Sequence, residues 1–338
     1  MTKQKFNFEP RWFVVFVFFL TGIFTGGLFL FIWVFNGGHF YGIQKVHQAN
    51  SQYKFTNPLL AVDLEQPGFF LQNDGLKGNI ESQIAKAQAG GQLKTAAFYF
   101  QEMESGRWLS INEDAKYSLG KFLKVPIMIA YFKEAEADPA VLKKMLVYKT
   151  QPGAGSTGNQ VDLHEGQQYP AEDLIKDMII DDSDSSAIIL FDNIDKNYLN
   201  EVYSDLGIGY HEDKTSEDYL TVKFSSLFYR VLYNATYLDA QYSEEALSII
   251  NQSDQGTGLA RSLPNDVTYA HRNRGAVPMP GSSDTFMETD CGLFYFPGHP
   301  YILCGSVTGK GSSFLDNFLA QVGQLVYEDM SEKYKNEN

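Results

Sequence analysis

YSLGKFLKVPIMIAYFKEAE, residues Tyr117 to Glu136, is the stretch on which the reading of the fold turns. Its apolar residues from Val125 to Phe132 follow two lysines, Lys121 and Lys124, and the pattern predicts a helix over Tyr117 to Ala137. Working outward, Thr95 to Ser110 gives two short strand-like runs parted by Glu104-Ser105-Gly106, which predicts a hairpin. Before it, Ile80, Ile84 and Ala87 share one face of a helix expected over Gly75 to Gln92. After it the helical period recurs over Val141 to Tyr148, Ala171 to Ile180, Ala187 to Ile194, Lys223 to Tyr233 and Glu244 to Asn251. A second hairpin is expected from Cys291 to Phe296 and Tyr301 to Ser306, around Pro297-Gly298-His299-Pro300, and an amphipathic helix from Ser313 to Met330 closes the chain. Strands at both ends of a helical block predict one α+β domain, residues 75 to 335, whose sheet is built from both termini.

Composition narrows the function classes. The chain has 338 residues with 27 Lys and Arg against 41 Asp and Glu, a formal net charge of -14. Phosphate binding needs a concentrated basic surface, so no nucleic-acid partner is expected. The two cysteines, Cys291 and Cys304, are too few for a structural zinc site, and His164-Glu165 lacks the second histidine of a zinc-protease helix. Neither a metal nor any other cofactor is expected. The cysteines fall on adjacent strands of the second hairpin: they bridge if directly opposed, and are otherwise small buried apolar residues.

The N-terminus carries a different signal. Trp12 to Phe35 contains no charged residue and is long enough to span a ~30 Å hydrocarbon core, with Trp12 and Trp33 near its two ends. Lys3, Lys5 and Arg11 precede it, and no Lys or Arg stands between Asn36 and Tyr41. The positive-inside rule therefore predicts a cytoplasmic tail (1–11), a single transmembrane helix (12–35), a tether (36–74) and an extracytoplasmic domain.

With these elements in order, Tyr117 to Glu136 resembles the helix of class A β-lactamases and related penicillin-binding proteins that carries Ser-x-x-Lys. QYPAEDLIKDMIIDDSDSSAIIL (Gln168 to Leu190) resembles the segment bearing their Ser-Asp-Asn triplet, and LARSLPNDVTYAHRNRGAV (Leu259 to Val277) resembles the approach to their Lys-Thr-Gly strand. The resemblance implies a β-lactamase-like fold, an antiparallel sheet flanked by helices with a helical subdomain. In the family the serine is acylated and the lysine one turn on activates it, since a helix sets i and i+3 side by side.

All three motifs depart from the family pattern. Lys124 keeps the lysine position, and Lys121 stands where the nucleophilic serine is expected. Ser118 forms Ser118-Leu119-Gly120-Lys121 one turn earlier, about 4.5 Å away along a helix; it reads as a helix cap, with a displaced nucleophile as the alternative. The second motif is Ser183-Asp184-Ser185. The resemblance makes Ser183 a proton shuttle and puts Asp184 and Ser185 beside the substrate, whereas the run Asp182 to Ser186 by itself reads as a capped helix start. The third motif is His271-Arg272-Asn273-Arg274-Gly275, in which Arg272 or Arg274 is placed to grip a carboxylate. Lys121 and Lys124 together imply a locally cationic pocket, with Asp184 as the internal partner or a peptide carboxylate as ligand. No convincing Glu-x-x-Leu-Asn segment lies between Leu206 and Leu220.

These departures favour a non-acylating pseudoenzyme of the cell envelope that binds a peptidoglycan fragment or an envelope protein. The alternatives are an active serine hydrolase, β-lactamase or peptidoglycan peptidase, using Ser118 or Ser183, and a structural protein with a vestigial pocket.

Overall fold

Ten-residue strands that are buried along nearly their whole length need cover on both faces, and this chain supplies it. The computed structural model describes residues 46–47, 53–61, 71–118, 124–149, 163–208, 219–253 and 256–335. The predicted span at 12–35 and Lys121 lie outside the described residues.

The main sheet contains β1 (Leu93–Glu102), β2 (Trp108–Ile111), β3 (Thr268–Asn273), β4 (Val277–Pro278), β5 (Thr285–Tyr295) and β6 (Tyr301–Lys310). Its order is β4–β5–β6–β1–β2, with β3 also pairing along β5, and each of these pairings is antiparallel. The sheet thus joins the two ends of the domain, as the sequence predicts. Both expected hairpins form, the second turning at Gly298 with φ 71°. Cys291 and Cys304 are directly opposed on β5 and β6, their Cα atoms 3.9 Å apart, and are joined by a disulfide.

The period of two in β1 divides the core. Phe98 and Phe100 face α1 (Asp74–Ala89) and the C-terminal helix, whereas Ala97 and Tyr99 face the helical block. That block comprises α2 (Lys124–Ala137), α3 (Ala171–Ile180), α4 (Asp184–Asn193), α5 (Lys196–Asp205), α6 (Val222–Tyr233) and α7 (Ala240–Asn251). The chain closes with α8 (Ser312–Lys333). Gly323 lets α8 approach the 3-10 turn Gly258–Ala260, since a Cβ there would lie 2.0 Å from the Leu259 carbonyl oxygen.

Two expectations are corrected. Tyr117–Ser118 is not the start of a helix; it is a short strand paired with Tyr219–Leu220. The pairing with a distant strand, rather than the local helical pattern, sets the backbone there. Val141 to Tyr148 is not helical either. Asp138 caps a 3-10 turn at Pro139–Lys143, and Met145–Val147 extends to pair with Gln168–Pro170. Helix α5, capped by Asp195 and buried through Leu199, Val202 and Tyr203, is an addition to the sequence reading.

Part of the stretch expected as a tether sits on the domain. The backbone amides of Lys54, Phe55 and Thr56 donate to the Glu244 carboxylate at 2.7 to 3.0 Å, and the buried Phe55 ring packs edge-on to Tyr295.

Candidate functional site

Lys124 opens the described part of α2 and is 3% exposed. A buried cation requires anions close by. The junction between α3 and α4 provides them. Lys124 Nζ donates to the Asp182 carbonyl and to Asp182 Oδ1, both at 2.7 Å, and lies 2.7 Å from Asp184 Oδ1. One ammonium has three protons, and here three acceptors meet it.

Asp182 reaches this position through a left-handed backbone, φ 56°, a conformation that aspartate tolerates better than most residues. From the opposite side Arg272, in β3 and 7% exposed, donates to Asp182 Oδ1 at 2.8 Å and to the Ile179 carbonyl. The Asp182 carboxylate therefore joins α2, the α3–α4 junction and the sheet edge through two cations.

Ser183, next along, is the N-cap of α4: its Oγ accepts from Ser186 N at 3.2 Å, as the capped-start reading expects. Ser183 is buried. Beneath it Asp177 is 8% exposed; burial raises its carboxyl above its ordinary value, opposed by the hydrogen bond from the Ser186 hydroxyl. Ser185, two positions after Ser183, is half-buried and does not border the cleft described next.

The cleft, about 520 Å³, opens between the α3–α4 junction, the end of β3 and the start of α8. Both candidate arginines of the third motif border it. Arg272 is engaged with Asp182 and Ile179, and Arg274 follows the end of β3 with its guanidinium lowered from its ordinary value by desolvation. The described lining is not cationic. Asp181, Asp182, Glu288 and Asp316 line it together with Arg272 and Arg274, and Lys124 is outside the described lining. Asp184 does serve as an internal partner, at least of Lys124.

The structure thus brings Lys124, Ser183, Asp184 and Arg272 around one junction and sets Arg274 at its edge. It leaves Ser118 in a strand. The sequence reading missed Asp182 as an ion-pair centre and missed Asp177 and Glu288. A signal for Asp182 existed, namely an acid adjoining Ser183 in a segment matched to the lysine helix, but its bond to Arg272 spans 90 positions.

The sequence profile of the β-lactamase enzyme family matches residues 79–330, and the chain belongs to that family. Among curated proteins, none matches the chain. Solved structures similar to it include an acyl-enzyme complex of a PBP-A mutant with penicillin G, with 18% identity and a TM-score of 0.64 over 79% of this chain and 99% of that one. A β-lactamase from Sphaerobacter thermophilus is 16% identical with a TM-score of 0.63, over 75% of this chain and 97% of that one. The extended-spectrum β-lactamase TLA-1 is 17% identical with a TM-score of 0.65, over 75% and 98%. At these identities the likeness is one of fold.

Proposed function

We propose that this chain is a membrane-anchored, non-acylating member of the family, a pseudoenzyme whose cleft binds a peptidoglycan fragment or an envelope protein. The observation that carries the reading is the engagement of Lys124. Activating a serine requires an amine that can take a proton, hence a lone pair. Lys124 Nζ is met by two carboxylates and a carbonyl, so its three bonding directions are taken up at the α3–α4 junction and none is turned to a nucleophile. The lysine at position 121, where the family has its serine, points the same way.

The alternative, a serine hydrolase using Ser118 or Ser183, has less support. Ser183 is buried and its Oγ caps α4 by accepting from the Ser186 amide, so its hydroxyl is engaged at the start of that helix. Ser118 belongs to an extended segment with none of the helical placement that acylation by the family's mechanism calls for. The reading requires no cofactor.

The test is incubation with a fluorescent penicillin followed by denaturing electrophoresis. No labelled band is expected, and a band that disappears in Ser118→Ala or Ser183→Ala refutes the reading. The anchor rests on the uncharged run Trp12 to Phe35, and a disulfide in the domain suits an oxidising compartment. Protease added to spheroplasts is expected to remove the domain and leave an N-terminal stub, whereas protection of the whole chain refutes that topology.

A further inference from the structure

Two cations on separate elements converge on one carboxylate. Lys124, from α2, and Arg272, from β3, both donate to Asp182 Oδ1, at 2.7 and 2.8 Å. Both cations are buried, at 3% and 7% exposure, while the Asp182 side chain is 28% exposed and borders the cleft. Two buried cations meeting at the wall of a cleft form a receptor for a carboxylate, with the guanidinium fork and the ammonium as its grip. In this chain that receptor is filled from within.

We infer that Asp182 is the specificity-determining residue of the cleft: its carboxylate is a built-in counter-ion that occupies the Lys124–Arg272 cation pair and excludes carboxylate ligands from it. The backbone supports this assignment. The left-handed φ of 56° carries the side chain back toward both cations, a conformation that glycine adopts without penalty and most other residues resist. Asp184 does not share the role. It pairs with Lys124, whereas the bond to Arg272 comes from Asp182. The inference rests on the binding reading above and narrows it: a ligand of the wild-type cleft is recognised through groups other than a carboxylate seated on Lys124 and Arg272.

The experiment is chemical rescue. Asp182→Gly deletes a group with the size and charge of acetate. It leaves the backbone in a conformation natural to glycine, Lys124 keeps Asp184 and the carbonyl of residue 182, and Arg272 keeps the Ile179 carbonyl. Thermal unfolding of the full chain, wild type and variant, is followed against sodium acetate, with sodium chloride at equal ionic strength as control. The melting temperature of D182G is expected to rise by about 2–3 °C for each tenfold increase of acetate above its Kd, with no such rise in the wild type. Should D182G not fold, Asp182→Asn is the second variant. It removes the charge while tolerating the same backbone, and a weaker acetate-linked rise is expected. The same slope in the wild type, an equal effect of chloride, or no acetate effect in either variant overturns the inference. Fluorescent penicillin run on the same samples keeps the two readings apart. A labelled wild-type band refutes the non-acylating reading whatever acetate does, and a missing acetate response with no band refutes the role of Asp182 alone.

Discussion

Replacing Lys124 with methionine keeps the apolar stem inside α2 and removes the ammonium that Asp182 and Asp184 share. Removing one partner of a buried ion pair typically costs about 3–5 kcal/mol, because the other charge is left buried and unpaired. Here the two carboxylates are 28% and 33% exposed, so water recovers part of their solvation, and Asp182 retains Arg272 at 2.8 Å. The expected loss is therefore about 2–3 kcal/mol, just below that range. For a domain of this size it corresponds to a fall in melting temperature of about 5 °C, measured by thermal or urea unfolding followed by circular dichroism. A double-mutant cycle with Asp184→Asn sharpens the test. The asparagine is expected to cost less in the Lys124→Met background than in the wild type, because the bond it weakens is already gone. A loss below about 0.5 kcal/mol, the range of an ordinary surface substitution, would show that Lys124 does not hold this junction together, and the argument against its acting as a base would fall with it.

The disulfide between Cys291 and Cys304 predicts an intact mass two hydrogens below that of the reduced chain. Cys291→Ser with Cys304→Ser is expected to lose about 3 kcal/mol in denaturant unfolding, from the entropy of the closed hairpin loop. A second prediction concerns pH and Glu102, which is 1% exposed at the end of β1. Burial alone would raise its carboxyl, but hydrogen bonds from Ser105, Tyr334 and Lys333 and the charge of Arg107 outweigh it and hold the group below the ordinary 4.5. A depressed acid stabilises the fold above its unfolded-state value, and that stability is lost as pH falls through the lower folded-state value. Unfolding free energy measured from pH 5 downward is expected to decline more steeply in the wild type than in Glu102→Gln.

Much of the architecture was legible because it depends on local rules. The alternation around Glu104-Ser105-Gly106 and around Pro297-Gly298-His299-Pro300 encodes two hairpins whose residues lie close in sequence, and both form. The same holds for α3, where six of ten residues are buried, and for Ser183 as the cap of α4. Local rules failed where pairing between distant segments prevailed. Tyr117–Ser118 is extended because Tyr219–Leu220 lies beside it, and Met145–Val147 because Gln168–Pro170 does. Secondary structure in short segments of mixed propensity follows whichever partner the fold supplies.

The site divides along the same line. By itself the sequence determined that a lysine stands at 124, that position 121 is also lysine, that Ser183-Asp184-Ser185 replaces the family triplet, and that two arginines occupy the third motif. These are identities, and they suffice to identify the kind of protein and to question acylation. Only the tertiary structure decided what the charges do. It set Asp182 between Lys124 and Arg272, assigned Asp184 to Lys124, and gave the cleft more carboxylates than guanidiniums among its described lining. The reason is that a charge acts over a few ångströms in space, whereas the partners of Asp182 lie 58 and 90 positions away along the chain. A motif fixes which group is present, and the fold fixes which group it meets.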